Sequence, residues 1–82
     1  MIAALVEEAE AIGWYEQRIS LEKNAVARAI MMDAQKEEFK HFSMDLEFLL
    51  RQKTDCRKIL KVVVLVPGEI VTNAKRAEKG AD

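Results

Sequence analysis

The chain has 82 residues, with thirteen Lys and Arg against fourteen Asp and Glu and a formal net charge of −1. That length allows one small domain with a thin core, and a near-neutral balance with both signs mixed along the sequence carries no electrostatic footprint for nucleic acid. The apolar run of residues 62–66 is far too short to span a bilayer. The first apolar residues have no basic region before them, as a signal peptide would. The single cysteine, Cys56, excludes an internal disulfide and fits a reducing cytoplasm.

Residues 2–19 place apolar side chains at Leu5, Ile12, Tyr15 and Ile19, with Ala4, Glu8 and Ala11 interleaved, which is helical spacing. Ser20 and Asn24 offer capping chemistry where the pattern lapses. From about Ala25 a second pattern runs through Ile30, Met31, Ala34, Phe42, Leu46 and Leu49 to Arg51 without a Gly or Pro, which predicts the longest helix. The polar residues 52–55 then break it, with Thr54 or Asp55 as the expected cap of a third segment that ends in KVVVLV before Pro67 and Gly68. That β-branched run would also suit a strand. We read it as helix, because an isolated strand has no partner elsewhere in the sequence. Beyond the Pro-Gly break Ile70, Val71, Ala74 and Ala77 recur at helical spacing, and the KGAD tail is expected to fray.

The pattern predicts an all-α chain whose 82 residues form one domain, an antiparallel helical hairpin plus a short C-terminal helix. A short helix cannot cover the apolar faces of both long ones, so a partner surface is expected, and dimerisation would complete a four-helix bundle. A dimeric bundle with no chemistry would satisfy this pattern equally well.

The candidate chemistry lies in Glu38-x-x-His41, which contains the only histidine. Positions three apart lie about 60° apart around a helix, so both side chains can reach one point. Ten of the 82 residues are Glu, so this pairing is not rare by chance and is weak by itself. Glu8 adds weight to it, because it falls on the stripe of Leu5, Ile12 and Tyr15 that is otherwise built for burial. A lone buried carboxylate is costly unless a cation or donor meets it. Di-iron carboxylate bundles use one Glu from each of two helices and a Glu-x-x-His from each of the other two. This chain holds half of that set, and a two-fold axis would complete it with four glutamates and two histidines. Carboxylate and imidazole donors suit iron or zinc, and bridging carboxylates favour a two-iron centre that can meet oxygen. Tyr15, nearly two turns from Glu8, would stand beside it.

The segments EEAEAIGWYEQR, residues 7–18, and KEEFKHFSMDLEFL, residues 36–49, resemble the encapsulated ferritins, small ferritin-like cargo proteins of encapsulin nanocompartments. The resemblance covers about residues 1–72. It implies a half-ferritin fold and a ferroxidase centre formed across a subunit pair, in which Glu8, Glu38 and His41 ligate iron with Tyr15 close by. It also implies pairs assembled into a ring, typically a decamer, held inside an encapsulin shell in the cytoplasm for iron storage. Glu7 and Glu10 resemble an accessory site through which metal enters, and Trp14 matches the tryptophan beside the centre.

Two features depart from the family pattern. Glu7 stands only six residues after Met1, where family members have more residues before the first helix, and AKRAEKGAD does not resemble the small and aliphatic peptide that docks on the shell. Each candidate also has a plainer reading. Glu7 and Glu10 fit a solvated helix flank, and Trp14 fits a packing contact. Glu37 could reach the metal or form an ordinary i, i+4 surface pair with His41, Cys56 fits a buried or incidental thiol, and Met31 and Met32 fit core filling. A static zinc or calcium site, or a structural helical dimer without turnover, is the alternative function.

Overall fold

With no proline and one mid-helix glycine before residue 22, the first apolar stripe propagates as a single helix, α1, Ile2–Leu21. It stops where the Glu22 backbone turns extended and its N–H bonds back to the carbonyls of Arg18 and Ile19. A short link follows, and Asn24 then starts α2, Ala25–Gln52. The Asn24 Oδ1 accepts the N–H groups of Val26 and Ala27, both at 3.0 Å, and so satisfies two of the donors that every helix start leaves free. Ser20, expected to share in capping, instead donates from its hydroxyl to the Gln17 carbonyl in the last turn of α1. The structure, a computed structural model, describes residues 1–80. Among them it holds four helices and no strand, so the fold is all-α.

The chain divides into two compact units, Met1–Leu49 and the residues from Leu50 onward. The first is the α1–α2 hairpin. Its α1 stripe is the one expected from sequence: Ala4, Leu5, Glu8, Ala11, Ile12, Tyr15 and Ile19 are all half-buried. On α2 the half-buried set includes Met31, Ala34, Glu38, Phe42, Asp45, Leu46 and Leu49. Ile30 departs from the expected pattern. It is 65% exposed and shares a second face of α2 with Val26, Met44 and Phe48, which are also exposed. Among the described residues of the hairpin, the most deeply buried residue is polar, Gln35, at 8% exposure. Its Nε2 donates to the Ile12 carbonyl at 3.2 Å and to the Glu16 carboxylate at 2.8 Å. These bonds fix how the two antiparallel arms slide along each other, and thereby which residue of α2 meets Glu8.

The second unit contains α3, Thr54–Val63, and α4, Ile70–Gly80, packed against each other. The β-branched run is helical only as far as Val63. Val64 is extended, and Leu65 takes a left-handed φ of 62° while fully exposed. Neither Thr54 nor Asp55 caps α3. Both lie within its first turn, where Asp55 faces the positive end of the helix dipole, and the cap position belongs to Lys53, whose side chain makes no capping bond. Glu69 supplies the start of α4: its carboxylate accepts the amides of Val71 and Thr72. The Thr72 hydroxyl and these amides hold Glu69 below its ordinary pKa.

The buried residues of α4 are Asn73 and Ala77, with Ala74 half-buried, whereas Ile70 and Val71 are exposed. Asn73 takes the inner position because its Nδ2 reaches the Pro67 carbonyl across the turn at 3.2 Å. Helix α4 extends into the KGAD tail as far as Gly80, and residues 81–82 lie outside the described residues. Cys56 is exposed rather than buried. Met31 is half-buried and Met32 is 44% exposed, so only Met31 contributes to the helix contact.

Charge is less evenly mixed than the whole-chain balance implied. Residues 1–49 contain five Lys and Arg against ten Asp and Glu, and the remainder contains eight against four. The hairpin is the part that attracts cations. Among the described residues, no helix is long and apolar enough to cross a membrane.

Candidate metal centre

Glu8 lies in the second turn of α1, and Glu38 and His41 lie one turn apart near the middle of α2. The hairpin brings the three together: one donor atom from each lies within 4.8 Å of the other two. The His41 Nδ1 stands 3.8 Å from the Glu38 Oε2. Burial is graded across the group, with Glu8 half-buried, the Glu38 side chain 24% exposed and the His41 side chain 51% exposed. A cation could therefore enter from the His41 side and meet carboxylates already half withdrawn from water.

A fourth acid borders the group. Asp45 is half-buried one turn beyond His41, and its carboxyl faces that of Glu8. Glu8 Oε2 and Asp45 Oδ2 are both sealed from solvent, and no protein group donates to either. Two acceptors turned toward each other need a proton or a cation between them. In the absence of a cation, hydrogen bonding with Asp45 is the main cause that pushes the Glu8 carboxyl up to about 7. Lost hydration and the negative charges of Asp45 and Glu38 act in the same direction, and His41 opposes them.

The donor types fit an iron-class or zinc-class ion. Two carboxylates and one imidazole suit such metals, and the orphaned oxygens are what a bound cation would satisfy.

The other sequence candidates fall outside this group. Glu7 and Glu10 are exposed on neighbouring sides of α1. Tyr15 is half-buried on the Glu8 stripe, and its ring packs edge-on against Trp14, with centroids 5.0 Å apart and planes at 82°. Trp14 is 48% exposed and carries the Arg18 guanidinium 4.3 Å above its ring, which is a packing role on the surface. Glu37 pairs with Lys40 at 3.0 Å. Sequence reasoning missed Asp45, although the signal was available: residues 38, 41 and 45 follow the i, i+3, i+7 rule for one helix face.

A helical hairpin whose two arms bring carboxylates and an imidazole to one point defines a ferritin-like half-bundle. Comparison with known proteins agrees: the family model described as EncFtn-like matches residues 1–65, and the chain belongs to that family. A relative named encapsulated ferritin-like protein, from Rhodospirillum rubrum, is 32% identical over 69 residues, covering 84% of this chain and 49% of its own length. A ferritin-like protein from Thermotoga maritima is 29% identical over 79 residues, covering 96% of this chain and 69% of its own. The chain thus spans about half the length of the first of these relatives.

Proposed function

We propose that the protein is a ferroxidase, oxidising Fe(II) to Fe(III) with oxygen at a di-iron centre that two copies of the chain build together. The observation that carries this reading is the meeting of Glu8, Glu38 and His41 within 4.8 Å across two helices, which is half of the donor set of a ferritin-like centre. Residues 1–82 would act as one half-ferritin-like domain, and a two-fold axis through the cluster would bring four glutamates and two histidines together.

Each side chain then has a task. Glu8 and Glu38 supply hard anionic oxygens that offset the charge of the ferrous substrate, and His41 supplies a neutral nitrogen lone pair from the more exposed side. Bound ferrous ions supply the electrons that reduce dioxygen. Tyr15, on the same stripe of α1 as Glu8, would serve as a hydrogen-bonding or redox-capable neighbour, and the exposed Glu7 and Glu10 would form an outer acidic approach for incoming metal. The pairs would close into a ring-shaped decamer. A ring stores no mineral by itself, so the ferric product needs a container, which would be an encapsulin nanocompartment in the cytoplasm; the name of the encapsulated relative supports the encapsulation.

Metal analysis of the purified protein, followed by oxygen uptake on adding ferrous iron, tests this reading. Rapid uptake that scales with protein concentration is expected, and uptake no faster than in buffer would contradict it. The exposed face of Val26, Ile30, Met44 and Phe48 favours a second reading, a helical dimer held by apolar packing around a structural metal site. That reading predicts bound metal without oxygen uptake.

A further inference from the structure

The group that gathers around Glu8 is larger than the three donors that meet at one point. Asp45 stands seven residues after Glu38 and four after His41, on the same side of α2, and its carboxyl faces Glu8 from α1. Its Oδ2 is sealed from water and has no protein donor, and the same holds for Glu8 Oε2. A side chain that served only to pack would not present an acceptor to another acceptor, because each buried unpaired oxygen destabilises the fold. Glu8 has two carboxylate oxygens, so it can serve the Glu38–His41 pair and Asp45 together.

We propose that Asp45 is a fourth metal ligand of the centre, sharing a cation with Glu8 and biasing each half-site toward hard, oxygen-preferring divalent ions. This inference rests on the proposed metal centre. With Asp45 the half-site offers three carboxylates to one imidazole. Added carboxylate character favours Mn(II)-like ions, whereas imidazole holds Zn(II) well, so the extra carboxylate contributes more to the first than to the second.

The test is a pair of titrations of the full-length protein with Mn(II) and with Zn(II), followed by competition with a chromophoric chelator. The variants are Asp45→Asn, which keeps the shape and removes the charge, Asp45→Ala, and Glu38→Ala as the reference for loss of the centre. Helical content of each variant is checked by circular dichroism. Asp45→Asn should weaken Mn(II) binding by about tenfold or more and Zn(II) binding by a smaller factor, with Asp45→Ala following the same order. If Asp45 only shares a proton with Glu8, removing its charge frees Glu8 for metal, and Mn(II) binding becomes tighter. Unchanged or tighter Mn(II) binding in Asp45→Asn, with binding abolished in Glu38→Ala, would overturn the role of Asp45 and leave the centre intact. Equal losses for the two ions would overturn the selectivity. Unchanged binding in Glu38→Ala would remove the centre itself.

Discussion

The Gln35 side chain, buried between the arms of the hairpin, donates to Glu16 at 2.8 Å and thereby ties the middle of α2 to α1. The same amide group reaches the Ile12 carbonyl at 3.2 Å, so the two helices are locked one turn from the point where Glu8 meets Glu38. Gln35→Ala should cost about 1 to 2 kcal/mol in chemical denaturation and should weaken metal binding, because the arms lose the bonds that set their register. Unaltered stability and metal affinity in this variant would show that apolar contacts alone align the hairpin.

Glu8 gives the metal-free protein a pH dependence of unusual sign for a carboxylate. Its pKa is raised from 4.5 to about 7 in the folded chain, so the fold binds this proton more tightly than the unfolded chain does. The resulting stabilisation is complete below about pH 4.5 and is lost as pH rises through about 7. Melting of metal-free protein across that window should show a fall in stability that Glu8→Gln removes and that added divalent metal reverses. A wild-type profile matching that of Glu8→Gln would contradict the assignment.

Leu65 offers a stability test remote from the chemistry. A leucine at φ 62°, fully exposed, bears left-handed strain that no contact offsets in this structure. Leu65→Gly should raise the unfolding free energy by about 0.5 to 1 kcal/mol, the strain relieved less the added freedom of the unfolded chain. Val64→Gly, at an ordinary extended backbone position, should lower it.

Several of these features were legible in the sequence, and the exceptions have physical reasons. The α1 stripe from Ala4 to Ile19 follows from helical spacing, whereas the grouping of Glu8 with Glu38 and His41 rests on the di-iron bundle pattern and the family resemblance, because spacing along one helix does not say which residue of the other arm it meets. Ile30 fits the apolar spacing of α2 yet faces solvent, since helical periodicity does not say which of two adjacent apolar faces the other arm covers. Gln35 and Asn73 were passed over because a polar residue becomes a good buried residue only when a specific acceptor stands opposite, and those acceptors are far away in sequence or across a turn. Asp45 shares the α2 face of Glu38 and His41, which the spacing does show, but that it lies against Glu8 on the other helix is not written in that spacing.

Assembly should respond to metal. Four glutamates brought together without cations repel one another, so a ligand that binds the paired state better than the separate chains contributes association free energy. Size exclusion with light scattering under anaerobic conditions should show the metal-free protein shifted toward monomer at low micromolar concentration, and ferrous iron shifting it toward dimers and rings. His41→Ala should weaken that shift. A distribution that ignores iron at every concentration would mean that the exposed apolar face of α2 holds the copies together unaided.

The most direct test of the proposed centre is the initial rate of ferrous iron oxidation in Glu8→Ala, Glu38→Ala and His41→Ala, measured beside Glu10→Ala and wild type with iron stoichiometry determined in parallel. Each of the first three should abolish the rapid phase and the bound iron, since every one of these residues acts twice in a two-fold centre. Glu10→Ala should alter the rate while sparing the bound iron. Full activity with normal iron binding in Glu38→Ala would contradict the account.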